Sequence, residues 1–518
     1  MKANEYDIVI IGSGVGGGAV ALQLAGSGAK VLVLERGPAL PREAQNWDIE
    51  AVFCEQRYKT TETWYADGRP FRPGMFYFVG GHTKFYGTAM FRFRERDFEA
   101  VEHDEGVSPA WPIRYAELEP WYGQAERLFG VRGQGGIDPT DPPRSSPYEH
   151  APIPHEPVLA AIEERLRGQG LKPFPMPSAV DFGPGGRCQR CANCDAIPCK
   201  IGAKGDAEMR LIRPALKQNN VELRAGVRVE RLITDDSGQR IVAAEVVEGG
   251  VRRRITANLF VLSAGAINSA ALLLRSANER HPRGLANSSD VVGRHYMTHN
   301  TTALMAVHPF KRNTTNFPKT LAVHDFYFGE SAGRDPKDTP LGSLQLLGKI
   351  REPMLRGPLP AVPKFLRSAL AEHSVDWYAQ SEDLPHPDSR VTVRPDGAIN
   401  LHWHRTNLRA HRRWVARCKD ILRGTGYPIV LSSGFGTEVV SHQCGTVRFG
   451  NDPATSALDP LCKAWDHDNL YVVDTGFFPV WESTTMCLTV LSWSLAASTN
   501  MRRSSSTKIT WSSAWLMM

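Results

Sequence analysis

From Tyr6 to Ile11 the chain is almost wholly aliphatic, the pattern of a strand buried on both faces. The run breaks at GSGVGG, residues 12–17, resumes with helical spacing from Ala19 to Ala25, and returns as a second buried strand from Lys30 to Leu34 that ends in Glu35. Strand, glycine turn, helix and strand in that order predict half of a doubly wound α/β sheet. From Pro38 to about Asp104 the periodicity fades while aromatic residues and glycines accumulate, and Pro142, Pro143, Pro147, Pro152 and Pro154 mark an irregular connection. Helical spacing reappears at Leu159 to Leu166 and at Ala207 to Leu216, and β-branched residues between Val221 and Val247 predict short strands. Leu259 to Leu262 reads as a buried strand running into SAGAINSAALLLRS, where Gly265 permits a tight turn before a helix. Residues 300–435 have another texture, with strands, aromatics and a polar helix near Arg409 to Leu422. Leu470 to Asp474 is again a buried strand ending in an acid.

These patterns divide the chain into a discontinuous nucleotide-binding domain at 1–105, 185–299 and 436–500 and an interleaved α+β substrate-binding domain at 300–435. Residues 106–184 connect them irregularly and 501–518 form a tail dense in Ser and Thr. A length of 518 residues agrees with two joined domains. The 61 basic and 55 acidic residues give a net charge of +6 without long runs of one sign, which argues against a nucleic-acid surface and for a small-molecule substrate. No apolar run is long enough to span a membrane and no signal segment precedes the first strand, so a cytoplasmic protein is expected. The nine cysteines are then expected to stay reduced.

Gly12, Gly14 and Gly17 form G-x-G-x-x-G between strand and helix. The first glycine allows the turn, the second admits a pyrophosphate to the backbone, and the third lets helix and strand pack closely. Glu35 is placed to accept hydrogen bonds from an adenosine ribose. The loop alone does not separate FAD from NAD.

The later segments resemble the glucose-methanol-choline oxidoreductases, a family of FAD enzymes that oxidise alcohols. The resemblance rests on GGHTKFYGTAMFRFRERDFE at Gly80 to Glu99, SAGAINSAALLLRS at Ser263 to Ser276, SHQCGTVRFGNDPATSALD at Ser441 to Asp459 and NLYVVDTGFFP at Asn469 to Pro479. It implies a Rossmann-like FAD-binding domain in which Gly80, Gly81 and Thr83 contact the flavin and Asp474 and Thr475 lie near its ribityl and pyrophosphate part. Some relatives bond flavin covalently through a histidine in the GG loop. Phe85 stands at that position, so non-covalent FAD is expected. His442 matches the family's catalytic histidine, suited as a neutral imidazole to take the hydroxyl proton while the carbon delivers hydride. Where the family places a second histidine or asparagine, this chain has Thr485, whose hydroxyl can donate a hydrogen bond but is a poor base.

Cys188, Cys191, Cys194 and Cys199 form C-x2-C-x2-C-x4-C, close to a ferredoxin spacing but with Pro198 before the last cysteine instead of a proline after it. An iron–sulfur cluster, as in similar bacterial sugar dehydrogenases, stands against a loop of reduced thiols. Trp377, Tyr378, His402, Trp403 and His404 are candidates to line a sugar pocket. The reading is therefore an FAD-dependent oxidoreductase acting on an alcohol of a sugar or polyol, with oxygen or another carrier as electron acceptor. Its rivals are a flavin-binding protein without alcohol turnover and an electron-transfer subunit with an iron–sulfur cluster.

Overall fold

The computed structural model describes residues 5–192, 194–331, 338–480 and 486–504, apart from the side chains at 500 and 502–504. Its first layer is a sheet in the order Val221–Ala225, Val31–Glu35, Tyr6–Ile11 and Val251–Leu262, all parallel, with Leu470–Val472 alongside the end of the last. The strand Val251–Leu262 serves two partners. Its end, from Ala257, pairs with Tyr6–Ile11, and its beginning pairs antiparallel with Ile241–Glu248, which pairs in turn with Val227–Thr234. The division follows composition, because Val251 to Arg254 are all exposed while Leu259 to Leu262 are aliphatic or aromatic and buried. Helices Val15–Leu24 and Ala266–Arg275 follow strands of this sheet, as the glycine turns predict.

The connection at 106–184 is less irregular than its prolines suggest, since Tyr115–Phe129 is a helix of 15 residues. Arg92 anchors it, donating from Nε and Nη2 to Glu126 at 2.9 and 2.8 Å. A last helix, Cys487–Ser504, packs against Val15–Leu24 and Tyr115–Phe129, with the Tyr122 and Thr489 hydroxyls 2.8 Å apart. Among the described residues no helix is long and apolar enough to cross a membrane.

The second layer is a six-stranded antiparallel sheet in the order Ile429–Gly434, Asn300–Val307, Ser374–Ser381, Ser343–Leu346, Leu321–Val323 and Phe174–Pro175. Its side chains alternate strictly. Leu304, Leu344, Leu346, Trp377 and Ala379 face helices Leu408–Gly424 and Pro157–Gly168 and form one core. Ala303, Met305, Gln345, Tyr378 and Gln380 face the other way and floor a large cavity against the first layer.

Two core histidines tie stability to pH. His467 Nε2 accepts from Ala286 N at 3.1 Å and its Nδ1 meets Gly238 O at 3.1 Å, while His411 sits between the Thr302 and Ser381 hydroxyls. Burial holds both near about 4, below the ordinary 6.5. The unfolded chain therefore binds protons first as pH falls. Stability is full above about 6.5 and drains away toward 4, by up to about 1.4 kcal/mol per pH unit for each histidine. Thermal unfolding midpoints are expected to fall steadily across that window, and a flat profile there would contradict this.

Candidate functional site

The cavity holds about 1230 Å³, above the roughly 300–1,000 Å³ of an ordinary small-molecule pocket. One arm reaches the first sheet. Gly12, Gly14, Glu35, Asp474 and Thr475 line it, with Gly81 and Thr83 across from them. Gly17 and Gly80 do not line the cavity. Gly17 supports the turn from behind, with its N–H donating to Ser263 Oγ at 2.7 Å, and Gly80 N donates to Ser13 Oγ at 3.0 Å.

Helix Val15–Leu24 begins at Gly14 with no side-chain cap, and a Cβ built on Gly14 would meet nothing within 4 Å. An uncapped helix N-terminus beside an open Cα fits a pyrophosphate, which its N–H groups and dipole attract. Glu35 is buried and accepts from Ser13 N at 3.1 Å, Ser13 Oγ at 2.6 Å and Gly37 N at 2.9 Å. Burial raises its carboxyl above the usual range despite these donors. Asp474 accepts from Gly265 N at 2.9 Å, Gly476 N at 2.8 Å and Ser269 Oγ, so its carboxylate ties the turn at Gly265 to the strand Leu470–Val472. Phe85 stacks on Phe76 at 4.1 Å within an aromatic cluster and lines the cavity, offering no nucleophile to a flavin. The residues present fit FAD.

The other arm opens beside His442. A backbone bridge between Met297 and Cys444, with N–H to O distances of 3.2 and 3.0 Å, carries His299 to the side of His442. His442 has φ +60, a left-handed conformation uncommon for a residue with a Cβ and of the kind found at functional sites. Its Nδ1 lies 2.9 Å from Nδ1 of His299. Gln345 Nε2 donates to Gln380 Oε1, which orients the Gln380 amide so that its Nε2 donates to His299 Nδ1 at 3.0 Å. His299 Nδ1 thus meets both the Gln380 amide and His442 Nδ1, which fixes the two rings against each other. Burial, with Lys319 beside it, pushes His442 down to about 4. The imidazole is neutral at neutral pH, as a general base requires. His299 and Gln380 carried no sequence signal; they enter the site through the pairings of Met297 with Cys444 and of Thr301 with Gln380. Thr485 lies outside the described residues.

The cysteine loop departs from the cluster expectation. Among the described residues no group of three or more His, Cys, Asp or Glu side chains is placed to hold a metal ion, so an iron–sulfur cluster at Cys188, Cys191, Cys194 and Cys199 is not supported. Cys188 and Cys194 pack against Ile153, Val180 and Phe317, and burial pushes the Cys194 thiol up to about 12. The Lys204 ammonium occupies the neighbouring space, donating to the carbonyls of Cys194 at 2.6 Å and Ile197 at 2.8 Å. Burial that raises the Cys188 and Cys194 thiols works against the thiolates a metal would need. Of the aromatic pocket candidates, Tyr378 and Trp403 line the cavity. Trp377 points into the opposite core, while His402 and His404 stay outside the lining.

The sequence pattern described as GMC oxidoreductase matches residues 3–301 with its N-terminal part and 385–493 with its C-terminal part. The chain is 32% identical to 6'''-hydroxyparomomycin C oxidase of Streptomyces lividus over 95% of this chain and 90% of that one. It is 30% identical to paromamine 6'-oxidase of Streptomyces fradiae over 92% and 87%. Pyridoxine 4-oxidase from Mesorbium loti shares the fold at a TM-score of 0.69 and 18% identity, covering 96% of this chain and 99% of its own. The matched regions contain both the glycine loop and His442, and on them this chain belongs to the GMC oxidoreductases as an FAD-dependent enzyme oxidising alcohols.

Proposed function

We propose that His442 takes the hydroxyl proton of a sugar or polyol while its carbinol carbon, losing a hydride, becomes a carbonyl, with FAD held non-covalently. FAD, when bound, accepts that hydride and passes the electrons to oxygen or another carrier. The observation that carries the reading is the His442 ring, kept neutral by burial, lining the cavity that also reaches the uncapped helix. His299 is a positioning residue, holding the His442 ring through the contact between their Nδ1 atoms. Gly12 and Gly14 would admit the pyrophosphate, with Gly17 and Gly80 bracing the loops behind them; Glu35 would accept from the ribose, Gly81 and Thr83 would contact the flavin, and Asp474 and Thr475 would lie near the ribityl and pyrophosphate part. Thr485 would donate a hydrogen bond to the developing alkoxide.

One feature supports a hydroxyl-rich donor. The relatives named for hydroxyparomomycin C and paromamine are oxidases. Anaerobic mixing with a panel of sugars, polyols and simple alcohols is expected to bleach the flavin, and acid precipitation should leave the flavin in the supernatant. Persistent yellow across the panel would favour a flavin-binding protein without alcohol turnover.

A further inference from the structure

The floor of the substrate arm changes character along one direction. Nearest His442 it presents Thr301 and Gln380, paired across two strands, followed by Ala303, Tyr378 and Gln345 in the next row. Beyond them come Met305 and Leu431, again a cross-strand pair, and opposite these Leu347, Ile350, Leu355 and Leu359 complete an apolar wall. Tyr378 and Phe435 meet edge to face at 5.7 Å along its side.

The charges around this arm are already matched or cationic. Asp195 accepts from Lys319 Nζ and from Gly348 N, both at 3.1 Å. Lys349 Nζ donates to Asp376 at 3.1 Å, and Lys59, held below its usual range by burial and Arg72, also lines the cavity. With Lys319 and Lys349 each matched to an aspartate, a substrate bearing several ammonium groups would meet Lys59 as like charge and no unengaged buried carboxylate among the lining residues of this arm. The Asp195 carboxylate is engaged and the Glu438 side chain is exposed at the rim. Desolvating substrate ammonium groups against such a wall is costly.

Resting on the alcohol-oxidising reading above, we infer that the substrate is an uncharged amphiphilic alcohol, with a hydroxyl-rich end at His442 and an alkyl or aryl tail along the Met305–Leu431 wall. The cationic aminoglycosides in the names of its relatives are then poor substrates for this chain.

The test is a series of 1,2-alkanediols from propanediol to octanediol, with paromamine as the cationic comparison, each followed by anaerobic flavin reduction in the holoenzyme. Binding of the matching alkanamides, followed by perturbation of the flavin spectrum, measures the wall without turnover. Efficiency and affinity are expected to rise about threefold to fourfold per methylene over several methylenes. Leu355→Asp should flatten both series. If that variant does not fold, Leu359→Asn, at a half-buried position, gives the same comparison. A flat diol series with measurable turnover, or paromamine as the best donor, would overturn the inference while leaving alcohol oxidation intact. A rising amide series without bleaching by any alcohol would uphold the wall and remove the catalytic reading.

Discussion

His442→Ala is expected to slow anaerobic flavin reduction by about 100-fold or more, roughly 2.7 kcal/mol of barrier, while leaving the bound flavin spectrum unchanged. The loss is confined to proton removal because the residues around the nucleotide arm are gripped elsewhere. Ser13 and Ser263 brace the glycine turn and Asp474 braces the turn at Gly265. The pH profile carries a second expectation. An imidazole works as a base only when neutral, so activity is lost as pH falls through its pKa. With His442 pushed down to about 4, the wild-type rate should be level from about pH 6 upward and decline only in acid, instead of rising through the ordinary 6.5. Stopped-flow reduction of wild type and variant across pH tests both. Near wild-type reduction in the alanine variant would remove His442 from the chemistry.

How far the sequence could be read depended on whether a feature is local. The strand, glycine turn, helix and strand from Tyr6 to Glu35 fall within two residues or so of their expected limits at most ends, because apolar periodicity and turn glycines are both short-range signals. Helix Tyr115–Phe129 was hidden by Pro120 and Gly123, two residues of poor helix propensity; tertiary contacts such as the Arg92 to Glu126 pair override them. In the strand Ser374–Ser381 the aromatic content was visible but not which face is which, and a period of two sends Trp377 to the core and Tyr378 to the cavity. The relation between His299 and His442 was out of reach altogether, since it arises from the Met297 and Cys444 pairing of distant segments. The cysteine spacing left two readings open for a converse reason. Sequence gives the intervals between thiols but not the packing that turns them toward Phe317 and around Lys204.

Gly14→Leu should abolish FAD binding without unfolding the protein, and the geometry of neighbouring glycines says why the two effects separate. Gly14 has φ −67 and ψ −166, extended backbone open to any residue, and its added side chain would enter empty space in the cavity. That space is where the second glycine of the loop lets a pyrophosphate approach the backbone. Gly16 is the opposite case. A Cβ there would lie 1.7 Å from Val473 O, so Gly16→Ala strikes the junction of helix and strand and should destabilise the fold itself. Ligand linkage makes the difference measurable. FAD at about 100 times its dissociation constant stabilises a protein by about 2.7 kcal/mol, so added FAD should raise the unfolding temperature of stripped wild type. Stripped Gly14→Leu should melt with stripped wild type and gain nothing from added FAD, whereas Gly16→Ala should melt lower from the outset. Purification of Gly14→Leu with flavin at the wild-type ratio would mean that the pyrophosphate does not pass this turn.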